Sequence, residues 1–156
     1  MQARALAATA LAESLTRRQR LDTVLPDRLE NLTNTRDRAF AQELCYGVMR
    51  WYFRLVALLA ELLAKKLHPR DTDIKMLLLI GMYQFDFLAT PEHAIVAATV
   101  DACEELDKAW AKKLVNAILR RYQRERLVLL EKFREDSAIH YAHPGWLLKI
   151  LQQDYP

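Results

Sequence analysis

The side chains best placed to do chemistry in this sequence are cationic. Lys113, Arg120 and Arg124 fall at i, i+7 and i+11, so on a helix they share one face. Lys112 and Arg121 flank that row. At 1.5 Å rise per residue the row spans about 16 Å, enough to meet several successive phosphates. The arginine fork suits phosphate oxygens and the flat faces of unstacked bases. Charge is also segregated along the chain. Residues 92–107 carry five acids and no Lys or Arg, whereas residues 108–134 carry nine Lys or Arg against two acids. Such a face either binds a polyanion or is solvated and complements the helix dipole. Arg17, Arg18 and Arg20, together with Arg4, extend a polyanion surface if the first helix packs beside this one.

The rest of the inventory argues against catalysis within these residues. The sequence has no Gly-rich phosphate loop, no G-x-S-x-G and no C-x-x-C. His140 and His143 are three apart, but Pro144 disfavours a helix there and no Cys or carboxylate cluster completes a metal set. His93 reads as a surface or capping residue, and Glu104 with Glu105 as a solvated face. Cys45 and Cys103 stand far apart in apolar helical patterns, as buried small hydrophobes of a reducing compartment do.

The elements that must position these residues are helical. Only three glycines occur, and Leu, Ala, Arg and Glu dominate. A first helix is expected over 3–16, its alanines permitting close packing, then a short helix or turn around 21–32 with Pro26 near its first turn. The longest helix is expected from Asp37 to Lys65. Phe40, Leu44, Gly47, Val48, Trp51, Leu55, Leu58, Leu59 and Leu62 form its core stripe, which marks it as the central element. His68 to Asp71 offers an N-cap for a helix from Ile74 to Leu88 that is apolar nearly all round. Gly81 inside it implies a close helix approach, since it costs about 1 kcal/mol relative to Ala. Thr90, Pro91 and Glu92 read as N-cap, N1 and N2 of a helix to about Leu106. A helix from Trp110 to Arg126 carries the basic row, and a charged helix over 126–135 continues or follows it. Residues 1–136 thus form one domain. Residues 137–156 form a connector and a short amphipathic helix whose Trp146, Leu147, Ile150 and Leu151 need a docking partner.

A chain of 156 residues suffices for one domain with a real core, and 52% hydrophobic with 28% charged residues is ordinary for a folded protein. The formal net charge of +3 is modest, so charge placement says more than charge total. Arg4 and Glu13 interrupt the Ala-rich start, which does not read as a secretory leader. No stretch approaches a membrane span, and the expected location is the cytoplasm.

Several strings carry a family resemblance. The run Arg38 to Trp51 (RAFAQELCYGVMRW) and the run Leu78 to Gln84 (LLIGMYQ) are similar to the N-terminal domain of the ribosomal RNA small-subunit methyltransferase B family. So are Pro91 to Ala94 (PEHA), Leu114 to Arg121 (LVNAILRR), Ala3 to Ala7 (ARALA) and Leu21 to Pro26 (LDTVLP), in that family's order. The tail from His140 to Leu147 resembles the junction before the family's catalytic domain. The resemblance implies an all-α, NusB-like bundle of about seven helices in two packed sub-bundles, plus a short C-terminal linker helix. It implies RNA binding through Arg4, Arg120 and Arg121, to which charge placement adds Arg17, Arg18, Lys113 and Arg124. It also implies 16S ribosomal RNA as partner and a downstream cytosine-5 methyltransferase domain using S-adenosylmethionine and a cysteine nucleophile. Neither Cys45 nor Cys103 sits in that catalytic motif, so no cofactor or catalytic residue is expected here. Two alternatives stay open: a docking module for the catalytic domain with little RNA affinity, and a free-standing antitermination factor.

Overall fold

A computed structural model describes residues 2–140, with side chains to residue 135. Seven α-helices follow in order: α1 (Ala3–Arg17), α2 (Leu21–Leu29), α3 (Thr35–Arg50), α4 (Tyr52–Leu62), α5 (Thr72–Phe87), α6 (Glu92–Glu105) and α7 (Lys112–His140). Short 3-10 turns, Pro69–Asp71 and Ala109–Ala111, lead into α5 and α7. The fold is all-α, as expected. Among the described residues no helix is long and apolar enough to cross a membrane.

The centre of the fold is α5. It packs on α1, α3, α4, α6 and α7, more helices than any other element meets. Its residues from Met76 to Phe85 are buried without a break. The expectation that the 37–65 segment forms one central helix is corrected here. That segment divides at Trp51, whose φ of −106° and ψ of 18° separate α3 from α4. Leu44, Gly47, Val48, Leu55, Leu58, Leu59 and Leu62 lie in the core as the stripe predicts, but Trp51 leaves it and is 36% exposed.

Helix approach depends on small residues at three places. Ala5, Ala7, Ala8 and Ala10 of α1 are fully buried, where α1 meets α3 and α5. A β-carbon on Gly81 would come within 2.7 Å of Leu119 on α7. One on Gly47 would overlap the Tyr83 ring on α5.

Other boundaries shift for local reasons. Asn34 caps α3 by accepting from the Arg36 amide at 2.8 Å, so the helix starts at Thr35, two residues before the expected start. Pro26 lies within α2 rather than at its first turn. Pro91, not Thr90, flanks α6, its carbonyl accepting from Ala94 and Ile95. Asp71 precedes α5 without capping it, because its carboxylate pairs with Lys108 at 3.1 Å. Lys108 also meets Asp73 at 2.6 Å and so ties the start of α5 to the turn before α7. Finally, α7 runs on as helix through residues 137–140, where a connector is expected.

Candidate nucleic-acid interface

Helix α7 turns Val115, Ile118, Leu119, Tyr122 and Leu129 into the core. The 3.6-residue repeat then sends Lys113, Arg120 and Arg124 to the opposite side, where all three are exposed. None has an ion-pair or hydrogen-bond partner among the described residues. Their flanking cations are engaged instead. Arg121 holds Glu125 at 2.6 Å and the Leu62 carbonyl of α4 at 3.3 Å, and Lys112 pairs with Glu104. One turn beyond Arg124, on the same outer side, Leu127 and Val128 are 78% and 73% exposed.

Arg4 occupies a different setting. Its Nε and Nη2 donate to Gln84 Oε1 at 3.2 and 2.9 Å, and its guanidinium lies 5.0 Å from the centre of the Phe40 ring. Burial lowers its pKa below the ordinary arginine value, though it stays a cation at any physiological pH. Among the described residues no carboxylate pairs with it, so it is a half-buried positive charge held by a neutral amide and a ring. Arg17 and Arg18 lie at the far end of α1, about 20 Å away along the helix axis. Arg17 shares Glu13 with Arg28, and Arg18 forms the left-handed C-cap of α1 (φ 53°). Arg18 also lines an open cleft of about 800 Å³ with Leu15, Arg20, Leu21, Tyr46 and Met49. The predicted cations therefore occupy three places: the first turn of α1, its last turn, and the outer side of α7. Trp146, Leu147, Ile150 and Leu151, expected to dock another domain, lie outside the described residues.

One polar cluster has no counterpart in the sequence reading. Asp86, with only 3% of its side chain exposed, accepts from the Tyr122 hydroxyl at 2.7 Å and faces Arg126 at 3.2 Å and Arg54 at 3.8 Å. Burial holds its carboxyl above the usual range, against the opposing effects of the Tyr122 hydrogen bond and the two guanidiniums. The Tyr122 hydroxyl is itself pushed up, first by burial and then by Asp86. An acid between Phe85 and Phe87, at the end of the apolar run that begins at Met76, is the signal that points to such a site.

The chain is 42% identical to ribosomal RNA small subunit methyltransferase B of Pseudomonas putida over all 156 residues. Against the proteins of that name from Pseudomonas syringae and Vibrio cholerae the identities are 41% and 38%, again over the whole chain. It spans only 36%, 35% and 36% of the length of these three relatives and corresponds to their N-terminal region. Residues 1–124 match the NusB family, and the chain belongs to it.

Proposed function

We propose that this chain binds RNA as the substrate-positioning, N-terminal domain of a cytoplasmic 16S ribosomal RNA cytosine-5 methyltransferase. The observation that supports this best is the outer side of α7, where Lys113, Arg120 and Arg124 stand exposed and without acidic partners among the described residues. Cations left unpaired on a rigid helix attract phosphates through counter-ion release.

The described residues do not fit S-adenosylmethionine. Gly47 and Gly81 are taken up by helix contacts with Tyr83 and Leu119 rather than by a loop that could cradle a cofactor. Cys45 and Cys103 are buried, and burial pushes their thiols up to about 12 and about 11, far from a nucleophile's range. Methyl transfer is therefore assigned to the catalytic domain that the relatives imply, and the task here is to hold RNA.

The test is binding of the full chain to a small-subunit ribosomal RNA fragment across a salt series, beside the Arg120→Glu, Arg121→Glu, Arg124→Glu variant. Binding that falls steeply with salt and is lost in the folded variant supports the reading. Equal binding by both proteins, or none by the wild type, overturns it. A second reading, docking of the catalytic domain, draws on Leu127 and Val128, whose exposure on α7 is unusual for apolar side chains. Under it the charge-reversed variant keeps whatever RNA affinity the wild type has, while Val128→Asp weakens association with the catalytic domain.

A further inference from the structure

A second surface, away from the outer side of α7, combines exposed aromatic rings with surplus positive charge. Gly47 lets the Tyr83 ring sit directly on α3. One helical turn further along both helices, Trp51 and Phe87 therefore meet, their ring centroids 4.9 Å apart and their planes inclined by 19°. Tyr83 lies against the stack, its ring 5.1 Å from Phe87 and tilted by 34°. A stack serving only the core would be covered, yet Trp51 is 36% and Phe87 37% exposed.

The charge around these rings is unbalanced. The Arg54 guanidinium lies 5.4 Å from the Trp51 ring centre and 5.5 Å from that of Phe87. Its acidic partner, Asp86, is 3.8 Å away and is shared with the closer Arg126. Two guanidiniums thus divide one buried carboxylate. Arg126 has a further acid, the half-exposed Glu92 at 3.8 Å, whereas Arg54 has none, and the Nε of each is buried without a hydrogen-bond partner among the described residues. Arg50, next to Trp51 in sequence, is exposed and has no ion pair among the described residues. Glu43 is the acid on this side of α3, close enough to act on the Tyr83 hydroxyl together with Arg50.

Exposed aromatic rings bordered by one unpaired arginine and one that shares its carboxylate suit single-stranded nucleic acid, in which a base stacks on the ring and the guanidinium takes the adjoining phosphate. An apolar protein partner would bury Arg50 without a counter-ion and leave Arg54 only its share of Asp86, at a large desolvation cost. We propose that the Trp51–Phe87 stack is a platform for one unpaired base of single-stranded RNA, with Arg50 and Arg54 receiving its flanking phosphates. The proposal rests on the RNA-binding reading above but names a different surface and a preference for unpaired strands.

The experiment follows the Trp51 indole N–H resonance of the ¹⁵N-labelled full chain, assigned by its disappearance in Trp51→Phe. The probes are a ten-nucleotide RNA of mixed sequence and the same strand annealed to its complement. The single strand is expected to shift that resonance to saturation, and the duplex to leave it in place. Trp51→Leu is expected to weaken single-strand binding by roughly five- to hundredfold, the range for loss of one base–aromatic stack. Trp51→Phe, which keeps a ring, is expected to lose no more than about threefold. Single-strand binding with an unmoved Trp51 indole, or unchanged affinity in a folded Trp51→Leu, overturns the platform. The α7 reading then survives if the charge-reversed variant still loses binding. Should Trp51→Leu fail to fold, the indole shift in the wild type decides alone. Absence of binding to either RNA removes both readings together.

Discussion

Gly47 of α3 lies so close to the Tyr83 ring of α5 that a β-carbon would overlap Cζ, Oη and Cε2. The contact sets the separation of α3 from the central helix and, one turn on, the Trp51–Phe87 stack. Gly47→Ala adds helix propensity of about 1 kcal/mol but forces a rigid ring aside, an overpacking cost of about 1–3 kcal/mol. A net loss of about 1 kcal/mol, or about 3 °C in Tm, is expected, with altered Trp51 fluorescence. At Gly81 the added carbon meets the methyl ends of Leu119 at 2.7 and 2.9 Å, which can turn. Gly81→Ala should therefore lose less, and thermal unfolding that ranks the two the other way would refute this account of the packing.

How much of this was legible in the sequence depends on how far apart the responsible residues lie. The bundle and the outward direction of Lys113, Arg120 and Arg124 follow from a repeat contained within one helix, and the alanines of α1 by themselves permit close packing, so these could be read directly. The break at Trp51 could not. No Pro stands there and the apolar stripe runs through it; the ring leaves the stripe to meet Phe87, 36 residues away. The Asp86 cluster draws on α4, α5 and α7 at once. The sequence marks Arg4 as a candidate but not Gln84 and Phe40, which hold it from 80 and 36 residues away.

The raised Asp86 carboxyl has a consequence for pH. Because burial lifts its folded-state value, the native chain keeps this proton at pH values where the unfolded chain has lost it. The resulting stabilisation is complete below the ordinary aspartate value of about 3.9 and disappears as pH rises through the Asp86 value. Asp86→Asn cannot lose that proton, and the other titrating groups cancel in the comparison. Urea unfolding from pH 3.5 upward should thus show the wild type losing stability relative to Asp86→Asn. A difference that moves in favour of the wild type as pH rises would mean that Arg54 and Arg126 outweigh burial.

The outer row of α7 predicts separable effects on binding and folding. Lys113→Gln, Arg120→Gln and Arg124→Gln should each reduce the slope of log affinity against log salt by about 0.7 for a single strand. Stability should change by less than about 0.5 kcal/mol, since none of the three has an internal partner among the described residues. Arg121→Gln should behave differently. It gives up Glu125 and the Leu62 carbonyl that joins α7 to α4, at about 0.5–1 kcal/mol, and should alter the salt slope less. Equal slopes for Arg121→Gln and Arg120→Gln would count against the row as the phosphate contact.

Arg4 combines both roles, and its variants separate them. Its fork makes two bonds to one buried amide oxygen, while the same Gln84 side chain donates to the Ile80 carbonyl at 3.2 Å and is thereby fixed in direction. Lysine keeps the charge but cannot reproduce the fork or lie flat over Phe40. Arg4→Lys should therefore cost about 1–2 kcal/mol in urea unfolding while leaving the salt slope of RNA binding intact. Arg4→Gln removes the charge as well, and if a phosphate binds there the slope should fall by about 0.7. Affinities must be compared below the unfolding transition of each variant, where the folded fraction is complete. An unchanged slope in Arg4→Gln would make Arg4 a packing residue that joins α1 to α5, and would leave α7 to carry the phosphates.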